Sequence, residues 1–269
     1  MQIQEAIAAL ENFASLPLQE DYDNAGLQIG LTESKCSGVL LCLDVTEDVI
    51  AAAAESGCNL IVSHHPLLFR GLKRIGDEGY VERCVRRAIL ATSPQFPEGS
   101  TGITIYAAHT NLDNAPGGVC HEMARRLMLQ DVEFLEPRRD GRGGSGVIGT
   151  LPHPVEAMEF LRQVKATFGV EALAHNSGPS AQVSTVALCG GAGEFLIDAA
   201  VARGADVFLT GEIGYHRFFG YERKIWLAAL GHFESERYTI SLMHRIIAEA
   251  CPGLRIVDYE ASTSPISFM

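Results

Sequence analysis

The chain has 269 residues, a formal net charge of −12, and 47% hydrophobic against 20% charged residues, a globular composition that is neither disordered nor fibrous. The acidic balance argues against general nucleic-acid binding, which depends on Lys and Arg neutralising phosphates. No apolar run approaches the ~20 residues that span a bilayer, and the glutamate-bearing N-terminal stretch lacks the basic region of a secretory signal.

Residues 2–14 have helical spacing, with Ile3, Ile7 and Leu10 on one face. The polar run Asp21 to Gly30 reads as a turn entering a short strand, since Asp, Asn and Gly supply turn dihedrals. An apolar strand over 38–44 ends in a carboxylate, Asp44, and Thr46 caps a helix from Glu47 to Ser56. Next comes Leu60-Ile61-Val62-Ser63-His64-His65-Pro66, a buried strand that stops at two histidines. Pro66 biases His65 toward extended backbone, so the two imidazoles are expected to diverge to opposite faces. A helix over 79–93, a Pro/Gly loop over 93–102 and a strand over 103–108 lead to His109-Thr110-Asn111-Leu112-Asp113.

After Pro116-Gly117-Gly118 a helix runs to about Leu129, and residues 132–135 form a short strand. The Arg- and Gly-rich stretch 137–146 reads as a linker between domains 1–136 and 146–269. The second half repeats the alternation, with a helix from Val155 to Phe168 and a strand over 183–188. The loop Cys189-Gly190-Gly191-Ala192-Gly193 follows, matching neither a P-loop nor G-x-G-x-x-G and reading as tight-turn glycine. A helix over 195–202 precedes the strand 206–209, which ends at Thr210-Gly211-Glu212 and His216. The strand 225–230 ends at Gly231-His232-Phe233-Glu234-Ser235-Glu236, and a helix to about Glu249 and a strand over 254–257 close the chain. Alternating strands and helices define an α/β fold.

Polar clusters stand at the ends of four predicted strands: His64-His65, His109 with Asp113, Glu212 with His216, and His232 with Glu234 and Glu236. Five of the nine histidines lie in them, where open α/β sheets bind ligands. Imidazole and carboxylate donors without thiolate suit zinc, iron, manganese or nickel. Five or more candidate ligands exceed the need of one zinc with an open position and match a two-ion site. The seven cysteines are scattered with no C-x-x-C pair, as expected of reduced thiols in a cytoplasmic protein.

The segments Asp23-Asn24-Ala25-Gly26-Leu27, Ser63-His64-His65-Pro66-Leu67, His109-Thr110-Asn111-Leu112-Asp113, Thr210-Gly211-Glu212 with Tyr215-His216, and Gly231-His232 through Ser235-Glu236 resemble the NIF3-like family of GTP cyclohydrolase 1 type 2 homologues. The resemblance implies a short two-domain form: two α/β domains with mostly parallel sheets flanked by helices, and a metal site in the cleft between them. It implies two divalent ions held by His64, His65, Asp113, His232 and Glu236. His109, Glu212 and His216 would line the site, and an acidic residue, often Asp, occupies the Glu212 position in the family. It also implies a ring-like homohexamer.

The expected activity is metal-dependent hydrolysis of a small molecule, with a purine nucleotide such as GTP as the implied substrate. Glu212 or Glu234 would be the general base, and His216 or His109 would protonate a leaving group. A non-catalytic metal-binding scaffold, a metallochaperone or regulatory partner protein, and a metal-dependent phosphoesterase are the alternatives.

Overall fold

The computed structural model describes residues 1–267. Among them are eleven strands: β1 (Gly26–Ile29), β2 (Val39–Cys42), β3 (Leu60–Ser63), β4 (Thr104–Ala107), β5 (Gln130–Pro137), β6 (Gly144–Glu156), β7 (Ala174–His175), β8 (Gln182–Cys189), β9 (Val207–Thr210), β10 (Trp226–Ala229) and β11 (Ile256–Asp258). The chain divides into two compact units, one of Met1–Leu112 with Thr239–Pro265 and one built on Asp113–Tyr238.

The first unit holds a five-stranded sheet in the order β1-β4-β3-β2-β11. The neighbours β4, β3, β2 and β11 run parallel, and β1 joins the edge antiparallel. Every residue of β2, β3 and β4 is buried, which is why these strands read as continuous apolar runs instead of alternating ones. One face packs Leu40, Ile61 and Ile105 against Val49, Ile50 and Ala53 of the helix Glu47–Glu55 and Val85 and Ala88 of the helix Tyr80–Leu90. The first of these helices is capped as its sequence foretold, Thr46 Oγ1 accepting from Val49 N at 3.2 Å. In register, Cys42 pairs with Ser63 and Ser63 with Ala107. The carboxyl ends of β2, β3 and β4 are therefore level, and whatever follows each strand emerges at one edge.

The second unit holds a six-stranded sheet in the order β5-β6-β8-β9-β10-β7. It is mixed: β8, β9 and β10 are parallel, whereas β5, β6 and β7 pair antiparallel with their neighbours. Alternation along its strands separates two cores. Val186, Leu188, Val207 and Leu209 face the helix Ala157–Phe168, while Ala187, Phe208 and Leu227 face Ile197 and Ala200 of the helix Ile197–Ala202.

Two expectations are corrected here. The stretch 137–146 is not a linker between domains: Pro137 pairs with Gly144, and the Arg/Gly run turns a hairpin inside one sheet. A short connection of this kind requires antiparallel neighbours. The thirteen-residue β6 was hidden by its glycines and by Pro152 and Pro154, which sit where its pairing with β8 shifts register between Thr150 and Val155. The final strand does not belong with the second half either, because Ile256–Asp258 runs parallel to β2 in the first sheet. No helix of the described residues is long and apolar enough to cross a membrane.

Candidate metal centre

In the first unit the level strand ends bring three imidazoles together. His64 and His65 follow β3 and His109 follows β4; their ring centroids lie 4.9 Å (64–65), 5.3 Å (64–109) and 5.5 Å (65–109) apart. One nitrogen from each lies within 4.8 Å of the others, close enough to share an ion. The divergence expected of adjacent histidines does not occur. The strand stops at Ser63, whose Oγ donates to the His65 carbonyl at 2.8 Å, so pleat alternation no longer governs the two side chains.

Each ring is oriented through Nδ1 by an oxygen acceptor. His64 Nδ1 donates to Ala108 O at 2.8 Å, His65 Nδ1 to Asp44 Oδ1 at 2.7 Å, and His109 Nδ1 to Asp23 Oδ1 at 2.7 Å. These bonds select the Nδ1–H tautomer and make Nε2 the nitrogen that could meet an ion. Metal-binding histidines are held this way, the acceptor fixing the ring and raising its basicity. Thr263 Oγ1 holds Asp44 from its other oxygen at 2.6 Å.

The Asp23 side chain is fully buried and also accepts from Asn24 N at 2.6 Å, Thr110 N at 3.1 Å and the Thr110 hydroxyl. Burial pushes its carboxyl up, but the bonds from His109 and Thr110, with the His109 charge, outweigh that and hold it at about 2. Asp44 shows the same balance: burial raises it, and the bond and charge of His65 with the Thr263 bond bring it below the ordinary carboxylate range.

In the second unit, register again sets the ends level, with Cys189 opposite Thr210 and Thr210 opposite Ala229. His232 opens a short helix, His232–Glu236, so the two residues share a face as four-residue spacing demands. His232 Nε2 lies 3.1 Å from Glu236 Oε2, and its Nδ1 lies 3.2 Å from Glu212 Oε1. Glu236 is buried whereas the Glu212 side chain is 58% exposed.

The glycine loop after β8 is the seat of this group. Gly191 N donates to Ser235 Oγ at 3.0 Å, which donates to His232 O at 2.8 Å, and Gly191 O accepts from Thr210 Oγ1 and Glu212 N, both at 3.0 Å. A side chain at Gly191 would fall on the Glu236 carboxylate, and its φ of +57° also favours glycine. Asp113 ends the short helix Thr110–Asp113. Together with Glu236 it adds negative charge near Cys189, whose thiol is raised chiefly by its bond to Cys120 and by burial.

Two predicted residues are not gathered in. His216 is exposed and packs its ring against Tyr215 and Phe219, at 5.2 and 6.3 Å between centroids. The Glu234 carboxylate folds back over Gly231. Sequence reasoning also missed the orienting role of Asp44 and Asp23. Asp44 was visible as a carboxylate ending an apolar strand, and Asp23 was hidden by ordinary turn composition.

The donor chemistry, imidazole nitrogens with carboxylate oxygens and anchored Nδ1 atoms, fits a divalent transition ion. Fold and site thus define an α/β protein of two sheets whose His and Glu groups can bind metal. The chain belongs to the Duf34/NIF3 (NGG1p interacting factor 3) family, whose model matches residues 1–265. It is 28% identical over 248 residues to a Clostridium acetobutylicum protein named GTP cyclohydrolase 1 type 2 homolog, covering 91% of this chain and 89% of that one. A Clostridium perfringens protein of the same name is 30% identical over 238 residues, covering 88% and 87%. The fold is shared with the crystal structure of a Bacillus cereus protein related to NIF3, with a TM-score of 0.87 and 23% identity over 100% of this chain and 99% of that one. Reduced HcgD from Methanocaldococcus jannaschii has a TM-score of 0.79 and 22% identity, covering 97% and 98%.

Proposed function

We propose that the chain is a metal-dependent hydrolase in which His64, His65, Asp113, His232 and Glu236 hold two divalent ions. The observation that carries this reading is the anchoring of His64, His65 and His109 through Nδ1 to Ala108 O, Asp44 and Asp23. Three imidazoles fixed in one tautomer at the level ends of parallel strands are built to present Nε2 to a ligand. Divalent ions, when bound there, supply Lewis acidity that polarises a substrate oxygen and acidifies water.

The protein's own groups divide the remaining work. Asp44 and Asp23 keep His65 and His109 oriented. Glu212, exposed and 3.2 Å from His232 Nδ1, is better placed than Glu234 to accept a proton. His109 is better placed than His216 to give one, because it stands in the imidazole group and its Asp23 partner keeps Nε2 as the exchanging atom. The relatives are named GTP cyclohydrolase 1 type 2 homologs, and the substrate we propose is a purine nucleotide such as GTP, opened at its imidazole ring. We place the protein in the cytoplasm, as a homohexamer.

The test pairs elemental analysis after chelator-free purification with turnover on nucleotides, phosphodiesters and cyclic amides. Close to two divalent ions per chain with nucleotide hydrolysis supports the reading. Bound metal with no turnover on any substrate would make the protein a metal-binding scaffold. Turnover of phosphodiesters alone would make it a phosphoesterase.

A further inference from the structure

Beside the three histidines two aromatic rings stand in solvent. Phe69 is 46% exposed and Tyr22 66% exposed, although rings of this size ordinarily bury most of their surface. Phe69 presents to His109 at 6.2 Å between centroids and 87° between planes, and Tyr22 meets Phe69 at 6.4 Å and 64°. The segments carrying them are pinned together. Asn24 Nδ2 donates to Leu68 O at 2.8 Å, and Leu68 N donates to Gln28 Oε1 at 3.0 Å. Asp23, next to Tyr22, holds His109. The aromatic edge is thus tied to the histidine group by bonds on both sides, and its exposure is not that of a loose loop.

The charge of the same loop runs against that of the whole chain. In a chain of net charge −12, the loop 66–79 carries the exposed cations Arg70, Lys73 and Arg74 against Asp77 and Glu78, the cations lying nearer Phe69 in sequence than the acids. Exposed π-faces select planar rings, and a local cluster of Lys and Arg selects anions. The two together at one imidazole group describe a ligand that is both.

We propose that Tyr22 and Phe69 form the stacking edge for a purine nucleotide whose phosphate is met by Arg70, Lys73 and Arg74. This rests on the reading of the histidine group as a hydrolytic centre and supplies its substrate specificity. The base is chosen by its π-face and the phosphate by charge, so no glycine-rich phosphate loop is needed.

The test measures binding of GMP, guanosine and ribose 5-phosphate to the full chain by calorimetry. The variants are Tyr22→Ala, Tyr22→Phe, Phe69→Leu and the triple Arg70→Ala/Lys73→Ala/Arg74→Ala, with metal content measured on the same samples. Tyr22→Ala and Phe69→Leu should weaken GMP and guanosine by about five- to 150-fold and leave ribose 5-phosphate unchanged. Tyr22→Phe should bind as the parent does. The triple variant should weaken GMP and not guanosine.

The proposal is overturned if the parent binds no nucleotide at millimolar concentration, or if the ring variants leave the GMP dissociation constant unchanged. It is also overturned if Phe69→Leu changes the sedimentation coefficient and not nucleotide affinity, since the edge then contacts a second copy of the chain. Metal content separates the two readings. A parent that carries metal but shows no ring effect defeats only this inference. A parent that binds GMP through the rings but carries no metal defeats only the hydrolytic one.

Discussion

Asp44→Asn isolates what an orienting carboxylate does without replacing any proposed ligand. Asp44 receives His65 Nδ1 at 2.7 Å and Thr263 Oγ1 at 2.6 Å, and asparagine keeps its volume while removing its charge. Losing such a partner typically weakens metal affinity by about 10- to 100-fold, or about 1.4 to 2.8 kcal/mol. The Asp44 side chain is 35% exposed, and solvent screens part of its charge, so the substitution belongs near the tenfold end. Asp44→Ala, which also removes the acceptor atom, belongs nearer the hundredfold end. The assay is competition for zinc or manganese with a chromophoric chelator, at fixed pH. Asp140→Asn serves as control, since Asp140 pairs with Arg138 and Arg142 in the hairpin turn. If Asp44→Asn binds metal within twofold of the parent while its circular dichroism is unchanged, the orienting role is refuted.

Three further outcomes follow from the same geometry. Asp23 is held at about 2 in the folded state against an ordinary 3.8, so its stabilisation is complete above pH ~4 and is lost as pH falls through ~2. Acid titration of stability should therefore show about 2–3 kcal/mol less loss in Asp23→Asn than in the parent. Gly191→Ala should leave the protein folded but weaken metal binding, because its side chain would displace the Glu236 carboxylate; equal affinities by the same chelator competition would remove the glycine loop from the account. Phe208→Ala, in a fully buried position of β9, should cost about 3–5 kcal/mol in urea unfolding, and a loss below 1 kcal/mol would mean that this core face is not packed as described.

What was legible in the sequence is what strands write plainly. The runs Val39–Cys42, Leu60–Ser63 and Thr104–Ala107 are apolar but for Ser63 and Thr104 because they lie in a sheet buried on both faces. Their polar ends mark the edge where His64, His65 and His109 gather. The four-residue interval from His232 to Glu236 likewise carried its helical face openly. Less legible was whatever depends on partners distant in sequence. His109 meets Asp23 across 86 positions, and Asp44 meets Thr263 across 219, and no local pattern marks such pairs. The strand Gly144–Glu156 was obscured by glycines and prolines that usually break strands. The return of Ile256–Asp258 to the first sheet is a matter of topology, which composition does not record.

The measurement closest to the central claim is the metal content of the full chain and of two variants, His65→Ala from the first unit and Glu236→Ala from the second, each purified without chelator. The account predicts close to two divalent ions per chain in the parent and a clear fall in both variants, with each variant retaining its fold by circular dichroism. No stoichiometric metal in the parent, or an undiminished two ions in Glu236→Ala, would contradict it.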